Sequence, residues 1–148
     1  MYYGYNSYAP QSYDYRAPKW QQVYMNLYYS LYAEQMVCAL SSEFFHIDET
    51  KDLKGNGKMH QHLVPASYHR VTAVGSVIRI LNGDKSDTVV KTLTSCINNA
   101  QRQDKGVVDG IEIMERNIPR KSRNQLRQII QWQKAAEHYL KLAENNTK

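Results

Sequence analysis

Residues 20–52 read WQQVYMNLYYSLYAEQMVCALSSEFFHIDETKD, and this stretch decides the fold. Trp20, Tyr24, Leu27, Leu31, Glu34, Cys38, Ser41 and Phe45 step by four and three in alternation, which lays them along one stripe of an α-helix. Met25, Tyr29, Tyr32, Met36, Leu40, Glu43 and Ile47 make a second stripe on another side. A helix apolar on two sides must be covered on two sides, so at least two other segments are expected to pack against it. Glu34 interrupts the first stripe at mid-helix. A buried carboxylate must be paired, hydrogen-bonded or neutral, so an arginine or a tyrosine hydroxyl from a neighbouring helix is expected beside it.

Three more helical segments follow. Lys51 to His62 reads as a polar loop in which Gly55, Asn56 and Gly57 supply the reversal. Pro65 is then expected to open a second helix, as Pro18 opens the first, because a proline at the first helical position gives up no needed N–H. The second helix shows Val64, Ser67, Val71, Val74, Ile78 and Leu81 in the same alternation and stops at Asn82-Gly83. Asp84 or Ser86 caps a third, whose inward stripe is Val90, Leu93, Ile97, Ala100, Asp104, Val107, Ile111, Met114 and Ile118. Asp104-Lys105-Gly106 predicts a kink or break, with a hairpin around Asp109-Gly110 as the weaker reading. After Pro119, Ser122 and Gln125 form a capping-box pattern for a fourth helix facing inward through Leu126, Ile129, Ala136, Leu140 and Ala143. Four helices with short connections predict an all-α, antiparallel four-helix bundle over residues 19–148.

Residues 1–18 are a separate compositional zone, with Tyr2, Tyr3, Tyr5, Tyr8, Tyr13 and Tyr15 set among Gly, Asn, Ser, Pro and Gln. This is the composition of an extended arm whose rings offer contact area at small entropic cost, suited to assembly on a neighbouring subunit. No run of about 18 uncharged apolar residues exists to span a membrane. The N-terminus lacks the basic start and apolar core of a secretory signal, so synthesis inside a cell is expected. Cys38 and Cys96, in separate segments and outside any CxxC spacing, read as buried free thiols.

The net charge of +5 is unevenly spread: residues 1–64 hold five Lys and Arg against six Asp and Glu, residues 65–148 fourteen against eight. Arg116, Arg120, Lys121, Arg123 and Arg127 crowd the start of the fourth helix, where backbone N–H groups and the helix dipole already favour an anion. Basic residues there, with no acid among them, predict a site for phosphate, nucleic-acid backbone or an acidic neighbour. No nucleophile elbow, P-loop or dinucleotide motif is present, and the expectation is a protein that is not an enzyme and needs no cofactor.

Glu43-Phe-Phe-His46 is a Glu-x-x-His, whose i and i+3 side chains project together and can share a metal. Here the chain resembles the ferritin-like superfamily, whose di-iron members take Glu-x-x-His from two helices and a Glu from each of two others. The resemblance implies a metal site centred on Glu43 and His46, drawing on residues such as Glu34, His60, His62, His69 or Glu137. Only one such motif occurs, and Glu137 and His138 are adjacent, diverging by about 100° on a helix. The tyrosine-rich arm on a small helical core is similar to spore-coat proteins and to helical coat subunits of DNA filaments in some archaeal viruses. That likeness implies a self-assembling structural subunit, in a virion or spore coat, with the arm joining copies and the basic cluster facing DNA or another polyanion. It is the preferred expectation, with the metal-binding bundle as the alternative.

Overall fold

The computed structural model describes residues 18–84 and 86–148. The six arm tyrosines fall outside the described residues. Four α-helices, α1 (Lys19–Ser42), α2 (Asn56–Leu81), α3 (Asp87–Asn117) and α4 (Arg123–Asn146), form an all-α four-helix bundle with no strand among the described residues. Short connections make successive helices antiparallel neighbours. α1 lies against both α2 and α4, α2 packs closely on α3, and α3 and α4 touch least.

The bundle interior is two apolar clusters separated along its axis. One gathers Val23, Leu27, Ala73, Val77, Leu93, Ile97 and Leu140; the other gathers Val37, Phe44, Met59, Leu63, Val107, Met114 and Ile129. Both α3 and α4 bury the residues their spacing picks out, with Val90 only half-buried. The inner row of α1 keeps Leu27, Glu34 and Ser41 of the first expected stripe but is turned toward Val23, Ser30 and Val37, leaving Tyr24, Leu31 and Cys38 half-buried. Its flanks then meet α2 on one side and α4 on the other, as Gln35 does with Ser67 and Tyr29 with Tyr139.

Several expectations are corrected. α1 ends at Ser42 rather than near Asp52, and Glu43–His46 tighten into a 3₁₀ turn. Phe44 is buried there, and its carbonyl accepts from the buried Thr50 hydroxyl at 2.9 Å. Pro18 takes the N-cap place of α1, its carbonyl accepting from the N–H groups of Gln21 and Gln22. α2 starts at Asn56, on a left-handed Gly55 (φ 96°), so most of the expected loop is helix and Pro65 lies inside it. The proline leaves the carbonyl of Gln61 without its helical donor. α2 is also rotated from its expected phase: Leu63, Ala66, Arg70, Ala73, Val77 and Ile80 face inward, while Val64, Val71, Ile78 and Leu81 are exposed. Ser86, rather than Asp84, caps α3 by accepting from Val89 N–H. Ser122 makes no side-chain cap on α4, and the Gln125 side chain donates instead to Leu40 O and Glu43 Oε1 across to α1 and the 3₁₀ turn after it.

The largest correction concerns α3, which runs as one helix through Asp104-Lys105-Gly106 and through Asp109-Gly110, with neither break nor hairpin. The two glycines lie four apart on one face and are there for approach rather than for bending. A Cβ on Gly110 would stand 2.7 Å from the backbone nitrogen of Met59, and one on Gly106 would enter the His62 ring. α2 rests on that smooth face, and His62 Nδ1 meets Gln103 Oε1 at 2.9 Å beside it. Gly110→Ala must push two backbones apart and is expected to cost about 1–3 kcal/mol. Gly57→Ala, where a Cβ meets nothing within 4 Å, is expected to be neutral or stabilising. Urea denaturation of the two variants tests this; equal stability would contradict the close-approach account.

Candidate functional site

Between the two apolar clusters lies a layer of polar side chains to which every helix contributes. Arg70 of α2 is fully buried at its centre. Its Nη1 donates to Glu34 Oε2 of α1 at 2.8 Å and to Asp104 Oδ1 of α3 at 2.9 Å, while Nη2 donates to Asp104 Oδ2 at 2.8 Å. The Asp104 contact is the bidentate fork that a planar guanidinium favours. Nε donates to Ser30 Oγ at 2.8 Å, and that hydroxyl donates in turn to Ala136 O of α4 at 2.7 Å. Gln133 of α4 is buried in the same layer and donates to Glu137 at 2.9 Å.

Glu34 thus has the arginine partner its position demands. One guanidinium nevertheless serves Glu34 and Asp104 with Glu137 also in its field. Burial pushes the Glu34 carboxyl up to about 7, with Arg70 pulling it down and Asp104 pushing it further up. Glu137 is also raised, chiefly by burial and against its hydrogen bond from Gln133. Burial disfavours the charge on Arg70, but Asp104 and Glu34 outweigh it and hold the guanidinium charged above its ordinary range. Glu34 Oε1 is buried without a hydrogen-bond partner.

Where α3 and α4 splay apart, an open cleft of about 850 Å³ reaches down to the layer. Asp104 and Glu137 line it together with Lys105, Lys134, Lys141 and His138. The Arg70 cluster is therefore one side chain away from solvent on this side.

The basic cluster sits at the turn from α3 into α4. Ile118 is buried and anchors the chain, Pro119 follows, and Arg120–Ser122 form a 3₁₀ turn leading into α4. Arg116, Arg120, Lys121, Arg123 and Arg127 are all exposed. Lys121 is engaged by Glu49 at 2.9 Å. None of the four arginines makes an ion pair or side-chain hydrogen bond with another described residue. Arg123 and Arg127 share a notch with Glu115. From Arg116 to Ala136 the chain holds six Lys and Arg and no acid, so the first turn of α4 carries no carboxylate to balance its dipole.

The residues named for a metal stay apart. Glu43 accepts from Gln125 and is exposed, His46 is exposed on the 3₁₀ turn, and His60 is taken up by Ser41 Oγ at 2.9 Å. Burial lowers the His60 pKa against that hydrogen bond. Among the described residues no group of three or more His, Cys, Asp or Glu converges as a metal site. Cys38 and Cys96 are both free, the first half-buried and the second buried.

Arg70 escapes a reading by periodicity because the conspicuous stripe of α2 lies on another face. A signal is nevertheless present: Arg70 is the one Lys, Arg, Asp or Glu between Met59 and Ile78, as Glu34 is between Trp20 and Ser42. Two lone opposite charges in otherwise uncharged helices point to a buried pair. No family model, curated protein or solved structure matches the chain, so the functional reading rests on this geometry.

The raised Glu34 pKa fixes a sign. The folded state holds a proton that the unfolded chain releases near 4.5, so stability from this group is full below pH 4.5 and is lost as pH rises through about 7. Glu34→Gln keeps an acceptor for Arg70 and removes the titration. Wild type is expected to lose on the order of 3 kcal/mol relative to this variant between pH 4.5 and 7.5, read by denaturant unfolding at both values. A pH-independent difference would mean that Glu34 does not titrate in this range.

Proposed function

We propose that the protein is a structural subunit that assembles with copies of itself, as in a coat or filament, and holds a polyanion such as a nucleic-acid backbone at its basic bend. The observation that carries this reading is the set of four exposed arginines at the α3–α4 turn, none of them matched to a partner within the described chain. An arginine in the first turn of a helix, as Arg123 is in α4, costs stability, typically some tenths of a kcal/mol, whereas Arg116 in the last turn of α3 is favoured by the dipole there. An incoming phosphate turns that cost into charge-assisted hydrogen bonds to guanidinium forks. Contacts of this kind position a backbone without reading bases, as a subunit that coats any sequence requires.

The tyrosine-rich arm supplies the second half of the reading: six phenol rings within 15 residues are the composition of a contact segment for neighbouring copies. Removing residues 1–18 is expected to leave the bundle folded and to stop the growth of large assemblies, as measured by light scattering.

Polyanion binding should weaken steeply with salt, because each neutralised phosphate releases counterions. Filter binding of double-stranded DNA at several salt concentrations gives the slope of log affinity against log salt. Changing Arg116, Arg120, Arg123 and Arg127 together to Gln is expected to flatten that slope by about 0.9 for each phosphate that is no longer neutralised. Unchanged binding in the variant, or no binding by wild type at low salt, would sink the reading.

A further inference from the structure

The outer face of α2, with the part of α1 beside it, is apolar where a helix surface is normally charged. Val64 is 72 % exposed, Tyr68 66 % and Val71 52 %, and Ile78 is also exposed. With Gly75 these residues step by four and three along α2, a heptad-like seam about 21 Å long. Tyr28 of α1 adds an exposed ring on the neighbouring helix. The one charged residue of α1 between Trp20 and Ser42 is Glu34, and that of α2 between Met59 and Ile78 is Arg70; both are buried. These two spans therefore put no Lys, Arg, Asp or Glu side chain on the surface. Charge depletion together with exposed aromatics marks the centre of a protein interface.

We infer that this seam pairs two copies of the chain through antiparallel α2 helices about a twofold axis near Val71. The size fits: the exposed parts of these side chains offer on the order of 600 Å² per copy, so a pair buries on the order of 1,200 Å², the lower end of specific interfaces. The charge fits as well, since two chains of net +5 repel wherever their surfaces carry that charge and meet most easily where there is none. Gly75 settles the direction. Glycine is the costliest residue after proline within a helix, yet a Cβ there would meet nothing within 4 Å in this chain. Nothing inside the subunit requires it. Tyr68 and Gly75 lie three and four residues either side of Val71, so an antiparallel pair sets the tyrosine of each copy into the notch left by the glycine of the other. Val64 and Ile78 pair in the same register. Parallel helices would oppose tyrosine to tyrosine and leave a gap at the glycines. The pairing rests on the assembly reading and names its first interface.

Oxidative cross-linking of full-length protein in a Cys38→Ala background tests it, with single cysteines placed along the seam. Val71→Cys is expected to link to itself, whereas Tyr68→Cys and Gly75→Cys link efficiently only when mixed. Gly75→Leu fills the notch with a better helix former and is expected to keep native helicity by circular dichroism while raising the dimer dissociation constant at least tenfold in sedimentation. Three results would each overturn the inference: self-linking of Tyr68→Cys as readily as Val71→Cys, an intact pair in Gly75→Leu, or linking of Val71→Cys only after residues 1–18 are removed, as an arm covering the seam would give. Loss of the cross-links with salt-dependent DNA binding retained removes the seam and leaves the basic bend standing. Cross-links without DNA binding do the reverse.

Discussion

Arg70 is the constraint around which the bundle is arranged. A fully buried guanidinium is tolerable only when its donors are met, and here they reach Ser30 and Glu34 on α1 and Asp104 on α3, with Ser30 continuing to α4. Replacing such a network by apolar residues is often neutral or stabilising, so the layer is not an obvious source of net stability. Its effect is on register. The apolar clusters above and below it could be satisfied after a slide of one or two turns, but any slide strands Arg70 or its carboxylates, at a cost of several kcal/mol. The polar layer excludes alternatives that hydrophobic burial alone would admit.

That register explains the glycines. With Asp104 held against Arg70, the next turns of α3 face the N-terminal turns of α2, where Met59 and His62 approach closely. Side chains at positions 106 and 110 would hold the helices apart and lengthen the Arg70–Asp104 hydrogen bonds. Tight packing on this side is matched by splaying on the other, where the α3–α4 cleft opens beside Asp104 and Glu137. The layer is thus buried by α2 and α3 and reached by solvent from α4, which is the setting in which a carboxyl such as Glu34 holds its proton to about pH 7.

How much of this is legible in the sequence follows from the same physics. In α3 and α4 polar and apolar residues alternate strongly, and their inward faces, Asp104 included, can be read directly. In α1 and α2 the outward residues are also apolar, so periodicity offers two or three stripes and cannot say which is the core. On α2 the conspicuous stripe, Val64, Val71 and Ile78, is the exposed one. Gly55 does take the left-handed conformation expected of the reversal, but Gly106 misleads because glycine signals both a turn and a close approach, and only the neighbour reveals which. The basic cluster is visible by composition, but its lack of partners is a property of the fold, since Glu49 engages Lys121 and leaves the arginines alone. The Glu-x-x-His spacing survives as a 3₁₀ turn; Gln125 of α4 occupies Glu43 before any third ligand approaches.

The ambiguity of α1 and α2 is itself informative. Between Trp20 and Ser42, and between Met59 and Ile78, these helices reverse the usual arrangement, burying their one Glu or Arg and placing aromatic and branched side chains outside. Such an exterior lowers solubility, and the chain carries its compensating positive charge at the far turn, on α4 and the segment leading to it. In the proposed assembly, a surface divided in this way would give each copy one region that does not repel its neighbours and another that does unless an anion intervenes. Joined along the uncharged region, two subunits would carry eight unpaired arginines, four on each copy. Their mutual repulsion would then ease only when a polyanion screens it, so anion binding and further growth would favour one another without any change in the shape of the bundle.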